Sequence, residues 1–467
     1  MKHLLSWIRK QDFSYLYALL GESTLGLMFL LYVLIARVVG PEQYGVFSAA
    51  VALGGILGVM IQFGLPMLLA RNVAADPTEG TKQTIQYLLT QILNTIPIVI
   101  ILPVITHVMG FEREGMILCY LMIVAELFRS IKMSWRSVIK GKGWFHKESV
   151  SVFLERSFTV LLASVILFTT KNLLLTAAAI VTARLIDNIA TGTYLAHRFP
   201  LTQPHTNISW RETYRKAFPF ALHGLLWIIY YQIDIIMLKG LTTEAQVGFY
   251  GAAYRVMEIF AALPRVVFFV AFTRFAQCHA DAQHEIPKQM IKALRMLFLM
   301  ILPCLVIAGF AQPFVFPLLF GPAFAVSVGL LAVLLPGLAL NMFNTVNETY
   351  LLTTGREIKL TPLLLTTSAA NVVMNLILIP RMGALGAAIA TVGSEVILCA
   401  LGMVQMVNTP VRSVTQRIIY LIPACVLIAV IPSLYWVGFP LLASLGLLIL
   451  FSAILLIQMR YLWKIFV

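Results

Sequence analysis

Fourteen apolar stretches, joined by short connections, leave this chain few ways to fold. They run over about 15–39, 44–70, 84–108, 115–138, 149–170, 173–197, 216–239, 246–273, 293–319, 324–353, 360–380, 384–407, 416–436 and 439–460. A helix of about 20 mostly apolar residues crosses the hydrocarbon core of a bilayer. In lipid each backbone N–H and C=O must find its partner inside the protein, and a helix meets that demand within one segment. With 60% hydrophobic and 12% charged residues, 467 residues make too apolar a chain for a soluble protein. The expectation is therefore an all-α integral membrane protein of about 14 transmembrane helices. The basic, amphipathic start MKHLLSWIRKQDFSYLY enters a stretch too long for a signal peptide and reads as part of a retained first helix.

A net charge of +14 raises the question of nucleic acid, but the basic residues sit between apolar spans, with no long basic block. No nucleic-acid partner is expected; the pattern is that of positive-inside topology. With a cytoplasmic N-terminus, the tail and the even-numbered loops collect about 23 Lys and Arg, against about five on the other face. Both termini are then cytoplasmic. The five cysteines are scattered, without metal-ligand spacing, so no disulfide framework and no metal site are expected.

Gly40-Pro41 ends the first span, since Pro lacks a donor and restricts the residue before it. A turn of four or five residues then leads into a small-residue helix closed by Ala70-Arg71. The phrase Gln43-Tyr44-Gly45-Val46-Phe47-Ser48-Ala49-Ala50 is echoed by Gln246-Val247-Gly248-Phe249-Tyr250-Gly251-Ala252-Ala253. An even number of spans separates the two, so the repeats run parallel, related by a pseudo-two-fold axis along the membrane normal. The organisation expected is an N-terminal lobe over 1–200 (spans 1–6), a C-terminal lobe over 201–410 (spans 7–12) and an appendage over 411–467 (spans 13 and 14).

The run from Ile35 to Arg71, with G-P-E-Q-Y-G at its centre, resembles the polysaccharide transporter family, the Wzx-type flippases of the MOP superfamily. A second match, from Asn375 through Ile379-Pro380-Arg381-Met382-Gly383 to Thr391, resembles that family's hairpin in the second half. The resemblance covers nearly the whole chain. It implies a MATE-like fold of two six-helix lobes and a polyprenyl-pyrophosphate-linked glycan as substrate. It also implies a bacterial inner-membrane location, with polysaccharide polymerase and glycosyltransferases as candidate partners.

The chemistry lies in charges placed inside apolar spans. Each costs about 2.5–3.5 kcal/mol at a helix centre on insertion scales, so each should face protein or water. Span 8 carries Arg255, Glu258 and Arg265 at spacings of three and seven, on one helical face. Span 6 carries Arg184 and Asp187; span 4 Glu126, Arg129 and Lys132; span 5 Glu155 and Arg156; span 7 Asp234. Span 10 adds Asn341, Asn344 and Glu348, and span 12 adds Glu395. Arg255, Arg265, Arg184 and Arg129 are the candidates for an anionic headgroup, because the planar guanidinium donates two parallel hydrogen bonds to phosphate. Asp187, Glu258, Asp234 and Glu126 are the candidates for ion coupling or charge balance. The competing reading makes Arg184–Asp187, Glu126–Arg129 and Arg255–Glu258 neutralising pairs that hold the bundle together. Asn371 and Asn375 share an i, i+4 face and read as interhelical hydrogen-bonding groups.

Neither a phosphate-binding G-x-x-x-x-G-K-[ST] loop nor H-E-x-x-H nor G-x-S-x-G is present. No cofactor is expected, and H+ or Na+ is the candidate coupling ion. The leading expectation is a non-enzymatic flippase that moves an undecaprenyl-pyrophosphate-linked oligosaccharide by alternating access. A MATE-like exporter of small cations would need a cavity dominated by acids, whereas spans 4, 6 and 8 supply at least as many bases. A lipid II flippase would share the fold. A membrane glycosyltransferase would need a large outward loop, which this sequence lacks.

Overall fold

The computed structural model describes residues 14–199, 209–261, 285–407, 409, 411–435 and 440–466, and all the regular structure among them is helical. In chain order the helices are α1 (Ser14–Gln62), α2 (Leu65–Ala75), α3 (Pro77–Lys82), α4 (Thr84–Val108), α5 (Arg113–Gly141), α6 (Phe145–Thr170) and α7 (Leu173–Ala196). Then come α8 (Trp210–Leu241) and α9 (residues 244–261). The remainder are α10 (Ile286–Phe320), α11 (Val326–Thr353), α12 (Leu360–Met382), α13 (Ala384–Met406), α14 (Arg412–Tyr435) and α15 (Leu441–Phe466). The expected spans fall on these helices, and the eighth is described as far as residue 261.

Among the described residues nine helices are long and apolar enough to cross a membrane. The protein is a multi-pass membrane protein. α5, at 29 residues, matches the others in length but carries a line of charge that dilutes its hydropathy. The apolar side chains of α4 face outward: Ile100 is 72% and Val108 79% exposed. Such a surface suits lipid and would be costly in water.

Two backbone breaks differ from the expected pattern. The turn after span 1 contracts to a single residue, Gly40, at φ 79 and ψ 177, with helix on both sides. Pro41 permits this, because a helix's first turn needs no N–H donor. The second expected helix, 44–70, is interrupted at Phe63 and Gly64, with φ 43 and 69. Pro66 then helps to start α2. Asn94 of α4 donates to the freed Ile61 carbonyl at 3.1 Å, and its own oxygen accepts from Tyr214 at 2.5 Å.

The chain divides into two compact units. One holds the described residues of 1–39 and 49–228, the other those of 40–48 and 229–467. In the first unit Leu65, Leu68, Leu69 and Val73 of α2 pack with Tyr87, Val138 and Ala217. Ser137 on α5 also donates to the Pro66 carbonyl at 2.6 Å. In the second, Tyr44 meets the ring of Phe324, which also meets Phe249 and Phe320. The Gln246 side-chain oxygen accepts from the Ala384 N–H at 3.0 Å, tying the repeated phrase to the start of α13.

Candidate functional site

Helical spacing puts Glu126, Arg129, Lys132 and Arg136 of α5 on one face. The first unit meets that face with α6 and α7. Glu126 accepts from Arg129 at 2.5 Å and pairs with Arg184 of α7 at 3.4 Å. Arg184 also donates to the Ala125 carbonyl at 2.7 Å. Gly54 and Gly58 of α1 leave the room Glu126 occupies, for a Cβ on Gly58 would stand 2.8 Å from its Oε2.

Lys132, only 2% exposed, has its ammonium fully used. It lies 2.6 Å from Asp187, and donates to Ser151 and Thr191 at 2.7 and 2.8 Å. Further along, Arg136 pairs with Glu148 at 2.5 Å. The neutralising pair anticipated between Arg184 and Asp187 is thus replaced by two pairs between helices, Arg184–Glu126 and Lys132–Asp187. The charged faces of α5 and α7 are turned towards each other, and partners across the contact outcompete a neighbour one turn away. Glu126–Arg129 does form within its helix. Arg129 keeps 37% of its side chain exposed, whereas Arg184 keeps 14%. Of these two bases Arg129 is the more exposed.

The second unit treats its two most buried acids, Asp234 and Glu395, differently. Asp234 of α8 is 2% exposed. Its Oδ1 accepts from Asn375 at 2.5 Å, and its Oδ2 accepts from the hydroxyls of Thr391 and Tyr250 at 2.6 and 2.8 Å. Asn375 also donates to Asn371 at 3.0 Å. Four helices, α8, α9, α12 and α13, converge on this one carboxylate. Its partners are neutral, and among the described residues no Lys, Arg or His pairs with it. Glu395 of α13 lies one turn from Thr391, between Asn341 and Asn344 of α11. Arg255 and Glu258 pair at 2.7 Å on α9, as their spacing implies. Arg265 lies outside the described residues.

The sequence indicates Asp234 but not its shell. Tyr250 sits in the repeated phrase and Thr391 in a small-residue run, and neither type marks a site by itself. The i, i+4 asparagines were the available signal, and they do bond between helices. Among the described residues no cluster of His, Cys, Asp and Glu has the make-up of a metal site.

A family model described as polysaccharide biosynthesis protein matches residues 13–279, more than half of the chain. The chain belongs to this family. A candidate O-antigen transporter of Shigella flexneri is 24% identical over 404 residues, covering 82% of this chain and 94% of that one. A solved structure of the lipid II flippase MurJ, in an inward closed conformation, aligns with a TM-score of 0.71 at 14% identity, over 94% of this chain and 98% of that one. An inward-facing multidrug resistance MATE family transporter of the MOP superfamily aligns with a TM-score of 0.65 at 16% identity, over 82% and 93%. This family member therefore has the MOP fold, as the phrases around Gly45 and Pro380 implied.

Proposed function

We propose that the chain is a flippase for a polyprenyl-pyrophosphate-linked oligosaccharide in the bacterial inner membrane, supplying surface polysaccharide synthesis. The observation that carries this reading is the line of bases on α5, inside membrane helices, with Arg129 partly open beside the Arg184–Glu126 pair. A guanidinium in such a site suits a phosphate-bearing headgroup, because it stays charged and donates in a fork. The family assignment and the Shigella relative's name support a glycan as the cargo. Arg255 and Arg265 are the corresponding bets in the second half.

Asp234 is the proposed coupling carboxylate. A buried acid held by neutral donors can exchange a cation or proton without breaking an ion pair, while Glu126, Asp187 and Glu258 balance fixed positive charge. H+ and Na+ remain the candidate ions. The activity is transport, in which no bond of the glycan is made or broken. The basic loops support cytoplasmic termini, and polymerase or glycosyltransferase partners would act before or after the crossing.

The test is made in cells lacking the gene. Lipid-linked oligosaccharide is extracted, and its leaflet is probed with a lectin or enzyme confined to the periplasmic side. Accumulation of inaccessible glycan, relieved by the wild-type gene and not by Arg255→Ala or Arg129→Ala at equal membrane levels, is the expected result. Unchanged exposure with altered resistance to cationic compounds would overturn the proposal.

A further inference from the structure

The two units neutralise their buried acids by different means. In the first, Glu126, Asp187 and Glu148 each hold an arginine or lysine at 2.5–2.6 Å. In the second, Glu395 is 2% exposed, and among the described residues no base pairs with it. It has no part in the coupling role proposed for Asp234.

Its surroundings are built from three helices. Asn341 of α11 donates to Glu395 Oε1 at 3.1 Å. Asn344, from the same helix, donates to Oε2 at 2.6 Å and to the Glu395 backbone carbonyl at 3.2 Å. The Tyr230 hydroxyl of α8 lies beside the carboxyl group. Gly337 of α11 lets this helix lie close to α13, since a Cβ there would stand 3.2 Å from Val392 Cγ2, one turn before Glu395. The other ionisable groups around it are Glu348 of α11, which is in electrostatic reach, and Cys399 one turn along α13. α12 also packs on α13 and contributes Asn371 and Asn375, both engaged around Asp234. α14 contributes Cys425, with its arginines at the helix start.

A second observation concerns Asn344 itself. The residue is 6% exposed, and among the described residues its buried Oδ1 has no hydrogen-bond partner. An orphaned acceptor inside a membrane protein is costly, and its amide is the one already bonded to Oε2. A half-turn of this amide would bring Oδ1 against Oε2, where two oxygens can stay in contact only with a proton between them.

We infer that Glu395 is a proton-binding site, in which Oε2 takes up a proton and the Asn344 amide turns so that Oδ1 accepts it. The bookkeeping is one proton added and no electron moved. The Oε2–H bond forms, the Nδ2–H···Oε2 bond becomes Oε2–H···Oδ1, and the 3.2 Å bond to the Glu395 carbonyl is given up. Asn341 holds Oε1 throughout. Asn344 is a positioning residue that serves both protonation states, because an amide offers a donor and an acceptor on one pivot. The N–H groups turned to the carboxylate distinguish this arrangement from a cage of oxygens around a metal cation. The inference goes beyond the flippase reading and does not depend on it.

The experiment uses the full-length protein in lipid vesicles, with infrared difference spectra recorded between alkaline and acid buffers. A carboxylic acid C=O band should appear on acidification, lose a component in Glu395→Gln, and keep that component in Asp234→Asn. Asn344→Ala should move the midpoint of this component by about one pH unit, as loss of a direct hydrogen-bonding partner does. A folded Glu395→Gln protein with an unchanged band overturns the assignment, as does a Glu395 component abolished by sodium at constant pH. Should Glu395→Gln fail to fold, Asn344→Ala decides: a shifted midpoint supports the site and an unmoved one overturns it. Unchanged glycan exposure in cells lacking the gene would sink the flippase reading alone and leave the infrared result standing.

Discussion

Gly45 and Gly248 make the same contact from opposite sides. A Cβ on Gly45 would run into the backbone carbonyl of Glu244, and one on Gly248 into that of Pro41. Each glycine thus faces the residue four places before the other, which is how two copies of one phrase meet across a two-fold axis. Tyr44 and Ser48 lie within the same segment, and a Cβ on Gly251 would stand 2.9 Å from the Ser48 hydroxyl.

Backbone carbonyls cannot swing aside, so Gly45→Ala or Gly248→Ala must push the helices apart. Overpacking of this kind costs about 1–3 kcal/mol. A fall of several degrees in the melting temperature of purified protein, with reduced surface glycan, is expected for either variant. Gly240→Ala, which meets nothing within 4 Å, should melt like the wild type. Equal melting of all three would show that the close approach is not maintained.

Lys132→Met should be among the most damaging single changes in the first unit. It leaves Asp187 buried without its cation, and breaking one side of a buried pair costs about 3–5 kcal/mol. Adding Asp187→Asn should recover part of the loss. A double-mutant cycle on thermal stability measures this coupling, and additive effects would contradict the 2.6 Å pair.

Arg129→Ala should behave in the opposite way. With its side chain 37% exposed and Glu126 still facing Arg184 at 3.4 Å, its removal should cost clearly less stability than Lys132→Met while surface glycan falls at least tenfold. Arg129→Lys should restore only part, since an ammonium lacks the fork geometry. Full glycan display by Arg129→Ala would remove it from the substrate path.

Asp76 gives a pH dependence of defined sign. Its Oδ1 accepts from the Thr78 and Glu79 N–H groups at 2.9 and 3.0 Å, capping α3. Those two bonds hold its carboxyl below the usual range. A lowered folded value stabilises the cap above the unfolded value, and the contribution is lost as pH falls through the folded one. Amide protection at Thr78 and Glu79 should therefore drop in acid in the wild type and stay flat in Asp76→Asn. Parallel behaviour would exclude the carboxylate as its cause.

What the sequence made legible follows from how far apart the interacting groups lie in the chain. The spans were visible because lipid demands long apolar runs. The pairs Glu126–Arg129 and Arg255–Glu258 were visible because three residues along a helix fix the geometry. Lys132–Asp187 and the shell of Asp234 were not, since they depend on which helix faces meet. The break at Phe63 was also hidden. The apolar residues Phe63, Leu65 and Pro66 read as continuous, and only the local backbone shows a non-glycine residue in the left-handed region.

The chain passes between its two units at three places, 39/40, 48/49 and 228/229. Gene fusion feels this directly. A chimera joined to a relative in the connection near residue 200 would inherit Gly40–Ser48 from one parent and the glycine contact's other half, Glu244 and Gly248, from the second. It would likewise take all of α8 from the second parent, although the first part of that helix belongs with the first unit. Recombination at that junction swaps half of a clasp rather than a module, and functional hybrids should need the 40–48 segment exchanged together with the C-terminal half.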